Sequence, residues 1–269
     1  MPTIAILYIA IGPYEAFWSP FRASCDRFFL PECPKTYFVF TDSKKIKSGK
    51  NLVVTSVEDH GWPANTLHRF HFFLRQAMAI AAHEYCFFFN ANALFVKPIS
   101  IEEVLPGPEE NNLVGLSWTL GAGREPDGFP YDRNPLSAAY IPYGQGSIYY
   151  QGGLIGGNSH AFLSLTTNLA ASIDQDASID VTALHNDESH LNHYLLDRHP
   201  RCLNTVYGRP QEWEQPETPK MVFVQKERVL SPYFLFKLKR KSLCFLLKSW
   251  YGRLKRSASG KNSETTPND

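Results

Sequence analysis

Three segments of the sequence hold residues that could do chemistry. The first follows the apolar run from Tyr85 to Phe89, which ends in Asn90-Ala91-Asn92. Two amide side chains, at i and i+2, therefore point the same way from the tip of a buried strand. Open α/β sheets bind ligands at such tips. Because Mg²⁺ and Ca²⁺ sites rely on anionic oxygen ligands, neutral amides predict a ligand held here without a divalent metal.

The other two segments are a set of glycines and a pair of carboxylates. Gln151-Gly152-Gly153 and Gly156-Gly157 provide a backbone that a ligand can approach closely. Asp187 and Glu188 begin a predicted helix. Each segment alone also has a structural interpretation: a polar strand end, a tight turn, and N-terminal capping of a helix. The combination of all three, in this order, favours a functional site.

Alternating strands and helices must position these segments. The apolar run 3–11, closed by Gly12-Pro13, predicts a parallel strand buried on both faces. Further strands are predicted at 37–42, 51–55, 85–89 and 221–224, and helices at 14–30, 65–83, 160–173 and 187–196. The stretch 118–157 is rich in Gly, Pro and Tyr, and 208–220 predicts an irregular loop. The alternation predicts a doubly wound α/β sheet.

Asp174-Gln175-Asp176 is a rival Asp-x-Asp pair. It follows the helix predicted to end near Ile173 and does not follow a buried strand. We therefore expect a solvated helix end there, and no metal site.

The composition is that of one folded domain. With 269 residues, of which 43% are hydrophobic and 14% aromatic, the chain can bury one substantial core. Its five cysteines form no Cys-x-x-Cys pair and no zinc-like spacing, which fits a reducing compartment. We expect no signal peptide and, without an apolar run of about 18 residues, no membrane span. These features predict a cytoplasmic protein.

The charge is divided unevenly. Residues 230–269 contain nine Lys and Arg against two acidic residues, a net charge of +7, whereas residues 1–229 carry 18 basic and 24 acidic residues, a net charge of −6. Aromatic and leucine side chains accompany the basic ones in 232–256. This mixture predicts a basic amphipathic tail in peripheral contact with anionic lipid, or else a helix packed on the body. We expect the end of the tail to be disordered and the protein to bind no nucleic acid.

Spaced markers make the sequence resemble glycosyltransferase family 6, the retaining α1,3-glycosyltransferases that include the blood-group A and B transferases and α1,3-galactosyltransferase. The resemblance runs from about Ile4 to about Val224. Its markers are Phe38-Val39-Phe40-Thr41-Asp42, Gly61-Trp62-Pro63, Ala139-Tyr140-Ile141-Pro142, Tyr149-Tyr150-Gln151-Gly152-Gly153 with Gly156-Gly157, and Asp187-Glu188-Ser189-His190-Leu191-Asn192. Asn90-Ala91-Asn92, in place of the usual metal-binding Asp-x-Asp, resembles the bacterial branch, whose members work without metal.

The resemblance implies a GT-A type, Rossmann-like single domain at 1–229, with a mixed, mostly parallel central sheet, and an extension at 230–269. It implies a UDP-sugar donor and no cofactor. The donor-binding residues that it implies are Ile9, Ala10, Ile11, Tyr14, Arg69, Asn90, Ala91, Asn92, Gln151, Gly152, Gly153, Asp187 and Lys226. Tyr14 would bound the uracil base, and Ile9 and Ile11 are equally explained as core residues. Arg69 has a helix-surface alternative.

Glu188 is the implied catalytic residue. A carboxylate near the anomeric carbon serves retention either as nucleophile or as stabiliser of an oxocarbenium-like ion pair, and the sequence leaves both open. Without a metal, a cation of the protein must meet the charge that develops on UDP. Lys226 and Arg228 are the candidates, with a solvated surface pair as the alternative.

The donor and acceptor are also expectations from the resemblance. Gln151-Gly152-Gly153 matches the donor-selecting triplet, and the missing side chain of Gly153 predicts room for the acetamido group of UDP-GalNAc, with UDP-Gal as the alternative. Trp118, His185 and Glu188 match the acceptor side, where Trp118-Thr119-Leu120-Gly121 and His185-Asn186 depart from the family pattern. An oligosaccharide or glycolipid with a terminal galactose, fucosylated or not, is the expected acceptor. A catalytically silent UDP- or glycan-binding protein is the alternative of another class.

Overall fold

The computed structural model of the protein describes residues 1–118 and 125–232. A central sheet of seven strands has the order β3-β2-β1-β4-β7-β6-β8, and only β7 runs against the other six. Its strands are β1 Ile4–Ala10, β2 Lys35–Thr41, β3 Leu52–Ser56, β4 Tyr85–Phe89, β6 Leu113–Ser117, β7 Tyr150–Asn158 and β8 Arg201–Leu203. This mixed, mostly parallel sheet in one domain confirms the predicted GT-A type fold.

A second sheet of three short strands lies beyond the end of β4. Its strands are β5 Ala93–Phe95, β9 Arg209–Pro210 and β10 Met221–Phe223. The central strand, β10, is antiparallel to β5 and parallel to β9. The small sheet thus brings the chain near residue 224 back to the tip of β4.

Helices cover both faces of the central sheet. They are α1 Trp18–Phe28, α2 Ala64–Leu67, α3 Arg69–Leu74, α4 Ala77–Ala81, α5 Ile101–Val104, α6 Ser159–Ser178 and α7 Asp187–Leu195. One core cluster joins Ile4, Ile6 and Tyr8 of β1 to α1, and the other joins Ala5 and Leu7 to α3, α6 and α7. The strand alternates between two apolar layers because successive side chains leave opposite faces of a sheet. Within the described residues, no helix has the length and apolar character that a membrane crossing needs.

The structure corrects two helix predictions. The helix predicted at 65–83 is three short helices, because the regular helix is interrupted at His68 and again at Gln76, whose side chain donates to Thr55 Oγ1. Helix α6 continues to Ser178, so Asp174 and Asp176 lie inside it.

The expected solvated end is therefore wrong for Asp176. Its side chain is buried and accepts 2.6 Å hydrogen bonds from Ser137 Oγ and from the Ala138 backbone N–H. Asp174 is exposed and lies 3.0 Å from His71 Nε2. Neither aspartate follows a strand, and this pair is a structural one.

The sequence did not predict β6 and β7 as strands. The glycines of β7 are required by its neighbours, because a Cβ built on Gly156 would lie 2.3 Å from the ring of Phe87 on β4, and one on Gly157 2.3 Å from the Asn112 carbonyl oxygen. Close approach of β4 and β6 to β7 explains why a Gly-rich run forms the reversed strand. Residues 119–124, and residues 233–269 of the basic tail, lie outside the described residues, so lipid contact through 232–256 and a disordered end of the tail stay predictions.

We predict that Gly156→Ala lowers the free energy of unfolding by about 1–3 kcal/mol, because the added methyl overpacks the β4–β7 contact. Gly49→Ala is the matched control, since no atom lies within 4 Å of a Cβ built there. Urea denaturation followed by circular dichroism would compare the variants. Equal stability of the two would contradict the close packing described for β7.

Candidate active site

Two open cavities meet at the C-terminal tips of β1 and β4. The first has a volume of about 280 Å³ and is lined by Ile9, Ile11, Pro13, Tyr14, Asp59, Gly61, Trp62, Asn65, Thr66, Arg69, Phe88, Asn90, Ala91, Asn92 and Lys226. The second has a volume of about 220 Å³ and is lined by Thr66, Arg69, Asn90, Gly152, His185, Asn186, Asp187 and Glu188. The two share Thr66, Arg69 and Asn90, and so form one continuous cleft.

Asn90 and Asn92 have different surroundings, although both lie at the tip of β4. The Asn90 side chain faces both cavities and makes no hydrogen bond to any described residue, while its backbone N–H donates to the Gly153 carbonyl. Asn92 Nδ2 donates to the Val224 carbonyl at 2.9 Å. The turn between them is held by the buried Tyr8, whose hydroxyl donates to the Ala91 carbonyl at 2.8 Å.

Arg69 connects the carboxylates of α7 to the backbone of β7. It is only 8% exposed, and its Nη1 donates to the Gly152 carbonyl at 2.8 Å. Its Nε lies 3.1 Å from Asp187 Oδ2 in an ion pair without a well-directed hydrogen bond. The guanidinium carbon also lies 4.6 Å from the centre of the Phe88 ring, which is a cation–π distance. The helix-surface alternative for Arg69 is therefore wrong.

Glu188 is fixed by hydrogen bonds to both carboxylate oxygens. The Tyr149 hydroxyl donates to Oε1 at 2.8 Å, and the Gly152 backbone N–H donates to Oε2 at 2.7 Å. Burial first, and then the nearby Glu188 carboxylate, raise the pKa of Tyr149, which keeps its hydroxyl protonated as a donor. The two donors hold the carboxylate in one orientation at the wall of the second cavity.

Helix α7 starts abruptly at the site. Asn186, the residue before its first turn, has φ 53° and ψ −128°, a conformation that a residue with a side chain adopts at the expense of strain. It lines the second cavity beside Asp187 and Glu188. The acidic residues are thus in the first helical turn, as the capping interpretation expects, and face the cavity as well.

Asp187 is buried next to its arginine partner. Burial raises the pKa of this carboxyl to about 6, with Arg69 acting in the opposite direction and Glu188 adding to the rise. The side chain can therefore change its charge within the range of ordinary assay conditions.

Lys226 brings a cation to the first cavity. Its Nζ lies 5.5 Å from the centre of the Tyr14 ring, and it makes no ion pair with any described residue. Arg228 is exposed, its Nε donates to Gln225 Oε1, and it lines neither cavity. Of the two basic residues that the sequence offered, only Lys226 lies in the cleft.

Four other predicted residues line neither cavity. Ala10 is fully buried, and its carbonyl accepts from Thr41 Oγ1. Gln151 is buried, with its Nε2 donating to the Gly208 carbonyl at 3.2 Å. Trp118 packs against Trp213, with ring centres 5.1 Å apart. Unlike Trp118, His185, which was also predicted to bind the acceptor, lines the second cavity.

Gly153 is the fourth, and a side chain there would first contact the protein, so the donor-selecting role that the resemblance implies for it stays a prediction. A Cβ at Gly153 would lie 2.5 Å from the Phe223 ring of β10, whereas one at Gly152 would lie 3.3 Å from Arg69 Nη1 and 3.6 Å from Glu188 Oε2. Alternate residues of a strand face opposite sides, so Gly152 is the glycine on the cavity side.

Several other site residues have no distinctive signal in the sequence. Tyr149 is only one position of a family marker, and its contact with Glu188 depends on the reversed strand β7. Asn65 and Thr66 line the first cavity from α2. Asp59 accepts from the Gly61 backbone N–H and from Asn65 Nδ2. These polar residues lie in a loop and a short helix with no distinctive spacing, which explains why the pattern did not find them.

Comparison with known proteins agrees with this geometry. A sequence model of glycosyltransferase family 6 matches residues 2–234. The chain belongs to glycosyltransferase family 6.

Its relatives in the family include bacterial and animal enzymes. The chain is 33% identical to the O-antigen biosynthesis glycosyltransferase WbnI of Escherichia coli, over 94% of this chain and 99% of WbnI. It is 29% identical to histo-blood group ABO system transferase 1 of Rattus norvegicus, over 79% of this chain and 61% of that protein. It is 25% identical to globoside alpha-1,3-N-acetylgalactosaminyltransferase 1 of Homo sapiens, over 82% of this chain and 65% of that protein. The chain thus spans less than two thirds of these two animal proteins.

Membership of family 6 gives the cleft its general role. A family 6 glycosyltransferase uses a nucleotide-sugar donor and a glycan acceptor.

The raised pKa of Asp187 predicts a pH-dependent stability. The folded state binds this proton more tightly than the unfolded state, whose carboxyl has the ordinary pKa of 3.8. Stability therefore falls as pH rises from about 4 to about 6, by on the order of 1–3 kcal/mol. Asp187→Asn lacks this titration, so wild type should lose stability relative to the variant over that interval.

Urea denaturation at several pH values would measure the difference between the two proteins. The exposed Glu212, just beyond β9, provides the control Glu212→Gln, which keeps Asp187 and should therefore lose stability with pH as wild type does. A constant difference between wild type and Asp187→Asn would contradict the raised pKa.

Proposed function

We propose that the protein transfers N-acetylgalactosamine from UDP-GalNAc, in α1,3 linkage and with retention, to a terminal galactose of a glycan, without a metal ion. The observation that carries the proposal is the position of Glu188, held by Tyr149 and Gly152 in a cavity that opens at Asn90 and Arg69 into the larger first cavity. Among the relatives, one is named as a globoside alpha-1,3-N-acetylgalactosaminyltransferase, which agrees with the proposed reaction.

The shape of the cleft suggests how the donor would lie. Uridine would occupy the first cavity, with its base against Ile9, Ile11 and Tyr14. The diphosphate would then lie near Asn90 and Lys226, and the sugar would extend into the second cavity. Asp187 and Arg69 would hydrogen-bond the sugar hydroxyls there, because hydrogen bonds in which one partner is ionised are stronger than neutral ones.

The residues at the tip of β4 do not fit a hard divalent cation. Asn90 and Asn92 offer neutral amides where such an ion needs anionic oxygen ligands. The Asn92 amide already donates to the Val224 carbonyl. Within the part of the chain that the structure describes, no three His, Cys, Asp or Glu side chains are grouped so as to hold a metal ion. The proposed reaction accordingly uses no metal ion.

Lys226 would neutralise the leaving group. When the bond between the anomeric carbon and the phosphate oxygen breaks, the electron pair leaves with UDP, and negative charge grows on the diphosphate. An ammonium group already positioned beside it stabilises that charge in the transition state. Lys226 is suited to this role because, among the described residues, it has no carboxylate partner to compete with the phosphate.

Glu188 would act at the anomeric carbon. As nucleophile it would displace UDP to form a covalent glycosyl-enzyme. The acceptor hydroxyl would then displace the Glu188 carboxylate and give its proton to the phosphate oxygen of UDP. As an electrostatic stabiliser it would support an oxocarbenium-like ion pair while the acceptor attacks on the face that UDP leaves. Both routes retain the anomeric configuration, and both need an ionised carboxylate in a fixed position. The Tyr149 hydroxyl, just before β7, and the Gly152 N–H, in β7, hold the Glu188 carboxylate in this way.

We predict that Glu188→Gln lowers kcat for transfer from UDP-GalNAc by roughly 10²- to 10⁴-fold while UDP binding stays near normal, because the amide keeps the shape of the side chain but carries no charge. A glycan array with UDP-GalNAc and UDP-Gal, with and without EDTA, would measure transfer. Isothermal titration calorimetry would measure UDP binding.

Glu32→Gln, at an exposed position, is the control. Near wild-type turnover by Glu188→Gln would refute its catalytic role, and activity that is lost in EDTA and restored by Mn²⁺ would refute metal independence. Preference for UDP-Gal would indicate the galactosyltransferase. UDP binding without hydrolysis of either donor would indicate a silent binding protein.

Donor selection should depend on Gly152. A methyl group on this residue would enter the cavity side beside Arg69, Asp187 and Glu188, so Gly152→Ala should lower kcat/KM for UDP-GalNAc relative to UDP-Gal by about tenfold or more. Gly153→Ala is the matched control. Its methyl would press on Phe223, so thermal stability should fall while the donor ratio changes little. The opposite pattern would support Gly153 as the selecting residue.

A further inference from the structure

Asn92 is bonded to the segment that carries Lys226. Its Nδ2 donates to the Val224 carbonyl at 2.9 Å, and the Val224 N–H donates to the Asn92 carbonyl at 2.8 Å. The orientation of the amide is fixed, because a carbonyl oxygen can only accept. The pair of bonds extends the antiparallel β5–β10 ladder, in which Phe223 faces Ala93, by one residue beyond the strand ends.

This pair of bonds fixes the position of Val224, from which the chain continues to Lys226. A short 3-10 helix, Lys226–Arg228, begins only two residues after Val224. Lys226 thereby reaches the first cavity and lies over Tyr14. Without the bond from the Asn92 side chain, the Val224 carbonyl would have no hydrogen-bond partner among the described residues, at the point where the strand ends and the chain turns into the cleft.

We propose that Asn92 is a positioning residue that holds Lys226 against the diphosphate, and that it does not act mainly as a direct ligand of the donor. This inference rests on the proposed function, in which the ligand of the first cavity is a UDP-sugar. It divides the roles in Asn90-Ala91-Asn92: the unbonded amide of Asn90 is available to the ligand, and the amide of Asn92 is committed to the protein.

The same contact explains why residue 92 is an amide. An ionised aspartate has only acceptors, so it would place a negative oxygen against the Val224 carbonyl where a donor is needed. A metal-binding carboxylate at 92 and this bond to the lysine-bearing segment therefore exclude each other. The Asn92 amide thus makes the tip of β4 unsuitable for a divalent cation and also holds the segment that carries Lys226, the cation proposed to replace the metal.

A double-mutant cycle on UDP affinity would test the proposal. Lys226→Ala should weaken UDP binding by about 10- to 100-fold, the effect of losing a hydrogen bond to a charged group. Asn92→Leu, which keeps the size of the side chain and adds no charge, should weaken it by a similar factor. In the Lys226→Ala background, Asn92→Leu should have little further effect, because residues that act through one contact are not additive.

Asn90→Leu is the matched control. Its side chain makes no hydrogen bond to the described residues, so its effect on UDP affinity should multiply with that of Lys226→Ala. Salt gives a second readout that general loosening of the fold would not change. The slope of UDP affinity with salt concentration should flatten in Asn92→Leu as it does in Lys226→Ala, and should stay as in wild type in Asn90→Leu.

Multiplying effects of Asn92→Leu and Lys226→Ala, or an unchanged salt slope in Asn92→Leu, would overturn the positioning role and support direct contact with the donor. Thermal melting would confirm that each variant is folded, with Asn92→Ala replacing Asn92→Leu if the latter is unfolded. If wild type binds UDP but transfers no sugar, the proposed function fails and UDP affinity still decides the role of Asn92. If wild type does not bind UDP, both proposals fail.

Discussion

The site depends on two hydrogen bonds made by the backbone of Gly152, a residue without a side chain. Its N–H donates to Glu188 and its carbonyl accepts from Arg69, which in turn pairs with Asp187. One residue of β7 thus fixes both carboxylates of α7 and the arginine of α3. The register of β7 against β6 shifts between the pairs Gly115–Ile155 and Leu116–Gln151, which leaves Gly152 outside the paired positions, so that both of its backbone groups can bond to side chains.

The elements that the sequence predicted well are those in which burial alone sets the pattern. The runs of β1 and β4 are apolar because both faces are covered, and such runs can be recognised without knowing the neighbours. The reversed strand β7 was not predicted, because its glycines are explained only by Phe87 and the Asn112 carbonyl, which come from other parts of the chain.

The same distinction holds at the site. Glu188 and Asn90 could be found from residue type and position, and the structure brings them to one cleft. The sequence could not show which of the two adjacent glycines faces that cleft, because this depends on how β7 lies against Phe223 on β10. Asp176 is the reverse case: its Asp-x-Asp spacing is that of a ligand, but contacts with Ser137 and Ala138 make it structural.

The electrostatics of the cleft follow from which charges are already paired. Arg69 is bound to Asp187 and to a carbonyl, so its charge is largely balanced before a ligand arrives. Lys226 has no such partner among the described residues. A diphosphate entering the first cavity would meet neutral amides at residues 90 and 92 and the cation of Lys226, while the Asp59 carboxylate of the same cavity already accepts from the Gly61 N–H and from Asn65 Nδ2. In the proposed reaction, amides at both tip positions in place of two carboxylates would lower the negative charge of the site by two, and a single lysine would then serve where a divalent ion would otherwise be needed.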